Sequence, residues 1–192
     1  MKRREPLQFM LWMAVGASGL IFLFLTGAYL ARKNNLEGWN STFLPEVFSY
    51  STVVIVLSSL TLWQANRAFK EERFSNYRLM MGSTLALGIA FICLQFLGWN
   101  TLIANGDTMS SSVSAAFVYV ISGVHLAHIL GGIVLLIIVF VEALRNFKYV
   151  DSFVYSVNPP NQLKLTLVSI YWHFVDVLWV ILFLFLIFQQ PK

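Results

Sequence analysis

Charge is scarce in this sequence. Asp, Glu, Lys and Arg make up 11% of its 192 residues, against 58% for apolar residues. A soluble domain of this size needs a polar surface, and this composition cannot cover one. Cysteine is nearly absent as well. The single Cys93 excludes an internal disulfide and a cysteine metal cluster. It lies inside an apolar run and reads as a small buried residue. Histidine occurs three times. The sequence has no phosphate-binding glycine loop, nucleophile elbow, paired catalytic carboxylates or CxxC. No catalytic centre is expected in the chain itself. The net charge of +4 comes from short basic stretches between apolar runs, which speaks against nucleic-acid binding.

What the chain has is apolar length. Five runs stand out, at about 7–30, 44–65, 79–103, 113–141 and 163–188. Crossing the hydrocarbon of a bilayer takes roughly 20 apolar residues. Backbone groups in lipid must bond internally, so the runs predict helices; alternating barrel strands are absent. The expected fold is an all-α, five-transmembrane-helix bundle, a single membrane domain over 1–192. The fourth run would rise roughly 40 Å and must tilt or project. The first run follows Lys2, Arg3 and Arg4 like a signal peptide, but its length predicts a retained helix.

Ten of the 13 basic residues fall on one side of this layout. They are Lys2, Arg3 and Arg4, then Arg67, Lys70, Arg73 and Arg78, then Arg145, Lys148 and Lys164. Arg32, Lys33 and Lys192 fall on the other. The excess places the N-terminus in the cytoplasm and the C-terminus outside. The longest loop is expected from Glu142 to Gln162, where Asn158-Pro159-Pro160 stops one helix and sets up the next. Asn105-Gly106-Asp107 reads as a turn. Small residues four apart, Gly123/Ala127/Gly131 and Gly82/Ala86/Ala90, predict close packing within the bundle, although an outer face could equally receive a partner helix.

Polar residues are costly in lipid and therefore informative. Asp176 is the only acid deep in any run. His173 precedes it by three residues, so the two share a helical face, and a hydrogen bond between them is the simplest reading. A proton relay or a lipid-headgroup contact is the functional alternative. His125 and His128 share a face of the fourth helix without a third ligand. Two histidines on one face of one helix cannot bind opposite sides of a haem. Hydrogen bonds to a neighbouring helix are the expectation for both. Gln95, Trp99 and Asn100 lie toward the outer end of the third helix, and Glu46 lies at the edge of the second. Trp12, Trp39, Trp63 and Trp99 are placed near the interfaces.

Two segments carry a resemblance. Tyr171-Trp172-His173-Phe174-Val175-Asp176-Val177-Leu178-Trp179 resembles the YWHFVDVxW signature of subunit III of the haem–copper oxidases. Gly123-Val124-His125-Leu126-Ala127-His128-Ile129-Leu130-Gly131 is similar to that family's G-x-H-x-x-H-x-x-x-G segment. The order and the five-helix layout extend the similarity over the whole chain. The resemblance implies an accessory subunit of a proton-pumping cytochrome c oxidase in aerobic respiration. Such a subunit packs against subunit I, associates with subunit II and other respiratory-complex subunits, binds phospholipid, and supports proton uptake and active-site durability. Haem and copper are expected in the partner subunits and no cofactor here. His125, His128, Trp172, His173, Asp176 and Gln95 are the matching polar positions, with packing, lipid or proton-relay roles. A bacterial inner membrane is implied ahead of the mitochondrial one.

The departures are specific. Many members have seven helices, and the first two are missing here. Ser18 stands where the family's third helix usually carries a buried glutamate. Gly98 stands in the acidic position of a Q-x-x-E-aromatic segment that begins at Gln95. Alternatives are a subunit of a quinol oxidase, a nitric-oxide-reductase-associated homologue and, from another class, a small membrane transporter. A transporter usually shows repeated halves and broken helices, and five helices give no even split.

Overall fold

The computed structural model describes residues 5–35, 39–146 and 148–190, and among them every regular element is a helix. The elements are α1 (Glu5–Asn35), α2 (Val47–Lys70), α3 (Phe74–Ala104), α4 (Val113–Arg145), α5 (Tyr149–Val157) and α6 (Pro159–Phe188). All but α5 are long and apolar enough to cross a membrane. Lys2, Arg3, Arg4 and Lys192, used to orient the chain, lie outside the described residues.

The connections follow from local chemistry. At the end of α3, Asp107 N–H donates to Leu102 O and Gly106 N–H to Ile103 O, with Gly106 at φ +86°. This is a Schellman cap, which needs a left-handed residue and finds it in glycine. The end of α2 repeats the pattern, Arg73 N–H to Ala68 O and Glu72 N–H to Phe69 O. There the left-handed position holds Glu72, at φ +57°. Ser112 caps α4 by accepting from Ala115 N–H at 3.0 Å.

The expected loop from Glu142 to Gln162 is instead mostly helix. α4 runs on to Arg145, α5 occupies Tyr149–Val157, and α6 starts at Pro159. α5 turns Ser152 and Ser156 inward and Tyr149, Val150 and Val154 outward. An apolar outer face on a short helix suits the bilayer interface, not water.

The core gathers α2, α3, α4 and α6 around Trp172 and Trp179, both fully buried. Trp172 lies in a slot made by two glycines. A Cβ on Gly88 would come within 2.9 Å of its ring, and one on Gly132 likewise within 2.9 Å. Of the expected small-residue faces, Gly82 packs against Phe140, whose ring a Cβ would approach within 3.2 Å, while Ala86, Ala127 and Gly131 are exposed; the closest approaches are at Gly88, Gly98 and Gly132. Cys93 is a further correction: it is exposed on the outer face of α3, where lipid is as good a neighbour as protein. α1 buries only Phe22 and Tyr29 among its described side chains.

Candidate functional site

α2 and α6 run antiparallel, and their seam is polar. Trp179 Nε1–H donates to Thr52 Oγ1 at 3.0 Å, and Trp172 Nε1–H to Ser58 Oγ at 3.0 Å. His173 Nδ1 meets Ser59 Oγ at 2.6 Å, and Asn66 Nδ2–H donates to Ser169 Oγ at 2.8 Å. Gln95 reaches in from α3 and donates to Ser51 Oγ at 3.1 Å. Seven-residue spacing keeps the contacts on one stripe: Thr52, Ser59 and Asn66 on α2, Trp172 and Trp179 on α6. Thr52 and Ser58 also donate to backbone carbonyls of their own helix, so each hydroxyl is used twice.

His173 and Asp176 share a face but do not bond to each other. Ser59 takes His173, and Asp176 is 3% exposed with neither carboxyl oxygen hydrogen-bonded. Ser59 faces Asp176 without completing a hydrogen bond. An i,i+3 spacing fixes a shared face and leaves each side chain free to turn toward the neighbouring helix.

The two histidines of α4 differ. His128 Nδ1 lies 2.8 Å from Val124 O and must donate to it, so its Nε2 accepts from Ser18 Oγ–H at 3.1 Å in the neutral ring. Ser18 thus ties α1 to α4. His125 is fully buried and neither ring nitrogen has a partner. The expected hydrogen bond to a neighbouring helix is absent. Instead Trp179 lies 4.8 Å from its ring, with Phe91 at 5.9 Å and Phe22 at 6.3 Å between centroids. At Gly98, a Cβ would come within 2.7 Å of the Phe48 ring, so Phe48 fills the space an acidic side chain would need.

A second polar group was hidden in the expected loop. Glu142 near the end of α4 accepts from Tyr155 Oη at 2.7 Å and pairs with Lys164 Nζ at 2.5 Å. It joins α4, α5 and α6. Burial, then the Glu142 carboxylate beside it, push the Tyr155 hydroxyl above the usual tyrosine range. The cue in the sequence was an acid seven residues before the N-terminus of an amphipathic stretch.

These contacts fall within a stretch with known relatives. Residues 36–190 match the family model described as cytochrome c oxidase subunit III. The chain belongs to the cytochrome c oxidase subunit III family. It is 30% identical to cytochrome c oxidase subunit 3 of Bacillus sp. (strain PS3), over 90% of this chain and 80% of that one. It is 28% identical to the protein of the same name from Bacillus subtilis (strain 168), over 90% and 81%. The Thermostichus vulcanus protein of that name is 29% identical over 87% and 79%.

Membership in an oxidase family raises the question of haem and copper. The donor set does not fit either. Among the described residues no three His, Cys, Asp or Glu side chains gather as ligands. His125 is enclosed by aromatic rings, and His128 uses both nitrogens on its own helix and α1.

Proposed function

We propose that this chain is the accessory subunit III of a bacterial haem–copper oxidase that passes electrons from cytochrome c to oxygen and pumps protons. It packs against subunit I in the inner membrane, beside subunit II, with its N-terminus cytoplasmic and its C-terminus outside. The haem and copper centres belong to the partner subunits. Bound phospholipid fits the wide apolar exterior. Trp172, His173 and Gln95, with His128, hold the helices in register by hydrogen bonds, while His125 packs among aromatic rings and Asp176 is buried without a partner. In this reading they support proton uptake and the durability of turnover through a partner's active site.

The observation that carries the proposal is the seam itself. The nine residues from Tyr171 to Trp179, which bear the resemblance, contribute Trp172, His173 and Trp179 to the α2 contacts. These polar side chains join helices to one another.

Purification from native membranes in mild detergent tests it. The expected result is co-purification with a large, histidine-rich membrane subunit and a haem signal in the reduced-minus-oxidised visible spectrum. A copper-binding subunit II in the same complex would support cytochrome c as donor. Isolation of this chain without haem or a large partner, in a detergent that preserves such complexes, would refute the proposal.

A further inference from the structure

α6 carries one polar residue per turn on a single stripe: Gln162, Thr166, Ser169, His173 and Asp176. The spacing of four, three, four and three is that of a helix face. The opposing stripe on α2 carries Lys70, Asn66 and Ser59 in the reverse order. Between them, with α5 at its mouth, is a cleft of about 500 Å³ whose walls include Lys70, Asn66, Gln162, Thr166, Ser169 and His173. From Gln162 to His173 is eleven residues, or roughly 16 Å along the helix axis. That is about half the roughly 30 Å of bilayer hydrocarbon. Gln162 and Thr166 at the start of the stripe are exposed, Ser169 is buried, His173 is half-buried, and Asp176 at its end is 3% exposed. Phe69, Leu165 and Ile170 share the walls, and the polar residue on each turn of α6 gives water hydrogen-bonding partners along the length of the cleft.

We propose that this cleft is a water-filled half-channel that lets Asp176 exchange protons with one side of the membrane only. That side is the one bearing the α2–α3 and α4–α6 connections. Asp176 is its closed end: its carboxyl oxygens are buried and unpartnered, one turn beyond His173. His173 lines the cleft, and Ser59 touches its Nδ1 while facing Asp176. For proton entry, the imidazole takes a proton from cleft water and releases one at Nδ1 to Ser59. The Ser59 hydroxyl proton passes to the Asp176 carboxylate, and the reverse order returns it. No electron moves and no bond other than O–H and N–H changes.

Titratable groups on the packed neighbours leave this role to Asp176. Lys70 at the end of α2 and Glu72 in the α2–α3 connection sit at the mouth, with Arg67 on the last turn of α2. Tyr155 on α5 and Lys164 at the start of α6 bond to Glu142 of α4. On α4, His125 faces aromatic rings and His128 faces α1, while Tyr119 bonds to Asp107 O. On α1, Lys33 bonds to Gln189 and Tyr29 to Ser114. None of them hydrogen-bonds to Asp176. The proposal rests on this geometry in a membrane and not on the oxidase assignment.

The test uses the full chain with its native partners in sealed membrane vesicles. In a Cys93→Ser background, Thr166→Cys and Ser169→Cys are treated from each side with a charged, membrane-impermeant methanethiosulfonate. Ser75→Cys marks the α2–α3 side, so the test does not depend on the absolute orientation. Val177→Cys is the lipid-facing control. Labelling of positions 166 and 169 from the Ser75 side only, at least about tenfold faster than position 177, is expected. Labelling no faster than position 177, or from both sides alike, would overturn the half-channel. Thr166 is exposed, so its variant keeps the test open if Ser169→Cys fails to assemble. Infrared carboxyl bands that disappear in Asp176→Asn should shift on transfer to D₂O, at least about tenfold more slowly in Ser59→Ala. Bands that never shift would overturn the exchange at Asp176.

Discussion

α6 is fastened to α2 by a row of tryptophan, histidine and asparagine hydrogen bonds around a buried double-tryptophan core. α1 is held by two buried aromatic residues, Phe22 and Tyr29, and by isolated polar contacts at Ser18, Tyr29 and Lys33. The difference follows from lipid as solvent. An apolar helix gains no hydrophobic free energy by leaving lipid for protein, so only close packing and hydrogen bonds fix its place. α2 and α6 supply both at every second turn. The N-terminal half of α1 supplies neither: Phe9, Met10, Trp12 and Met13 are all exposed. The family match begins at residue 36, just past the end of α1, so the densely bonded helices and the matched stretch coincide.

Emptying the seam should have the largest effect. Trp172→Ala removes a fully buried indole and its bond to Ser58. A soluble core would lose about 3–5 kcal/mol for such a change. In lipid the transfer from water drops out, so about 3 kcal/mol is expected, measured by reversible unfolding in bicelles. A loss as small as that from a change on α1 would abolish the contrast. Overfilling the same slot comes next. Gly132→Ala puts a methyl within 2.9 Å of a rigid ring, and about 1–3 kcal/mol of lost stability is expected. Gly131→Ala, whose Cβ meets only the Tyr171 hydroxyl at 3.5 Å, should be nearly neutral in the same assay.

Ser58→Ala isolates the hydrogen bond from the packing. It leaves the buried Trp172 N–H without an acceptor, and polar contacts between membrane helices are worth about 0.6 kcal/mol on average and at most about 1.7. A loss near 1 kcal/mol is expected, with a changed indole environment in tryptophan fluorescence. Thr at position 58 should restore much of it.

The five spans were legible because lipid demands long apolar runs, and the Tyr171–Trp179 segment stood out by its polarity. The partners of that segment did not. Ser51, Thr52 and Ser58 each bond to a carbonyl of their own helix. A serine in an apolar run therefore looks inert until its second bond is seen. α5 was hidden by the prolines after it and by its inverted pattern, with serines inward and valines outward. A four-residue spacing marks the face of Gly131, while the single close approach at Gly132 depends on where the opposing tryptophan lies. His125 gave no cue at all, since an imidazole enclosed by rings and one bound to a neighbour read the same in one sequence.

The smallest effect tests the other half of the comparison. Ser18→Ala removes the hydroxyl that His128 accepts from, and with it the polar contact in the middle of α1. His128 keeps its bond to Val124 O and is only half-buried, so its Nε2 is not stranded in a sealed core. A loss of no more than about 0.6 kcal/mol is expected. The four core helices should keep their unfolding midpoint, because Ser18 touches none of the α2–α6 seam. A spin label on α1 should report greater separation from α4. If Ser18→Ala instead destabilised the bundle as much as Ser58→Ala, α1 would be part of the same cooperative unit. Its exposed face would then describe what it shows to lipid, and not how weakly it is held.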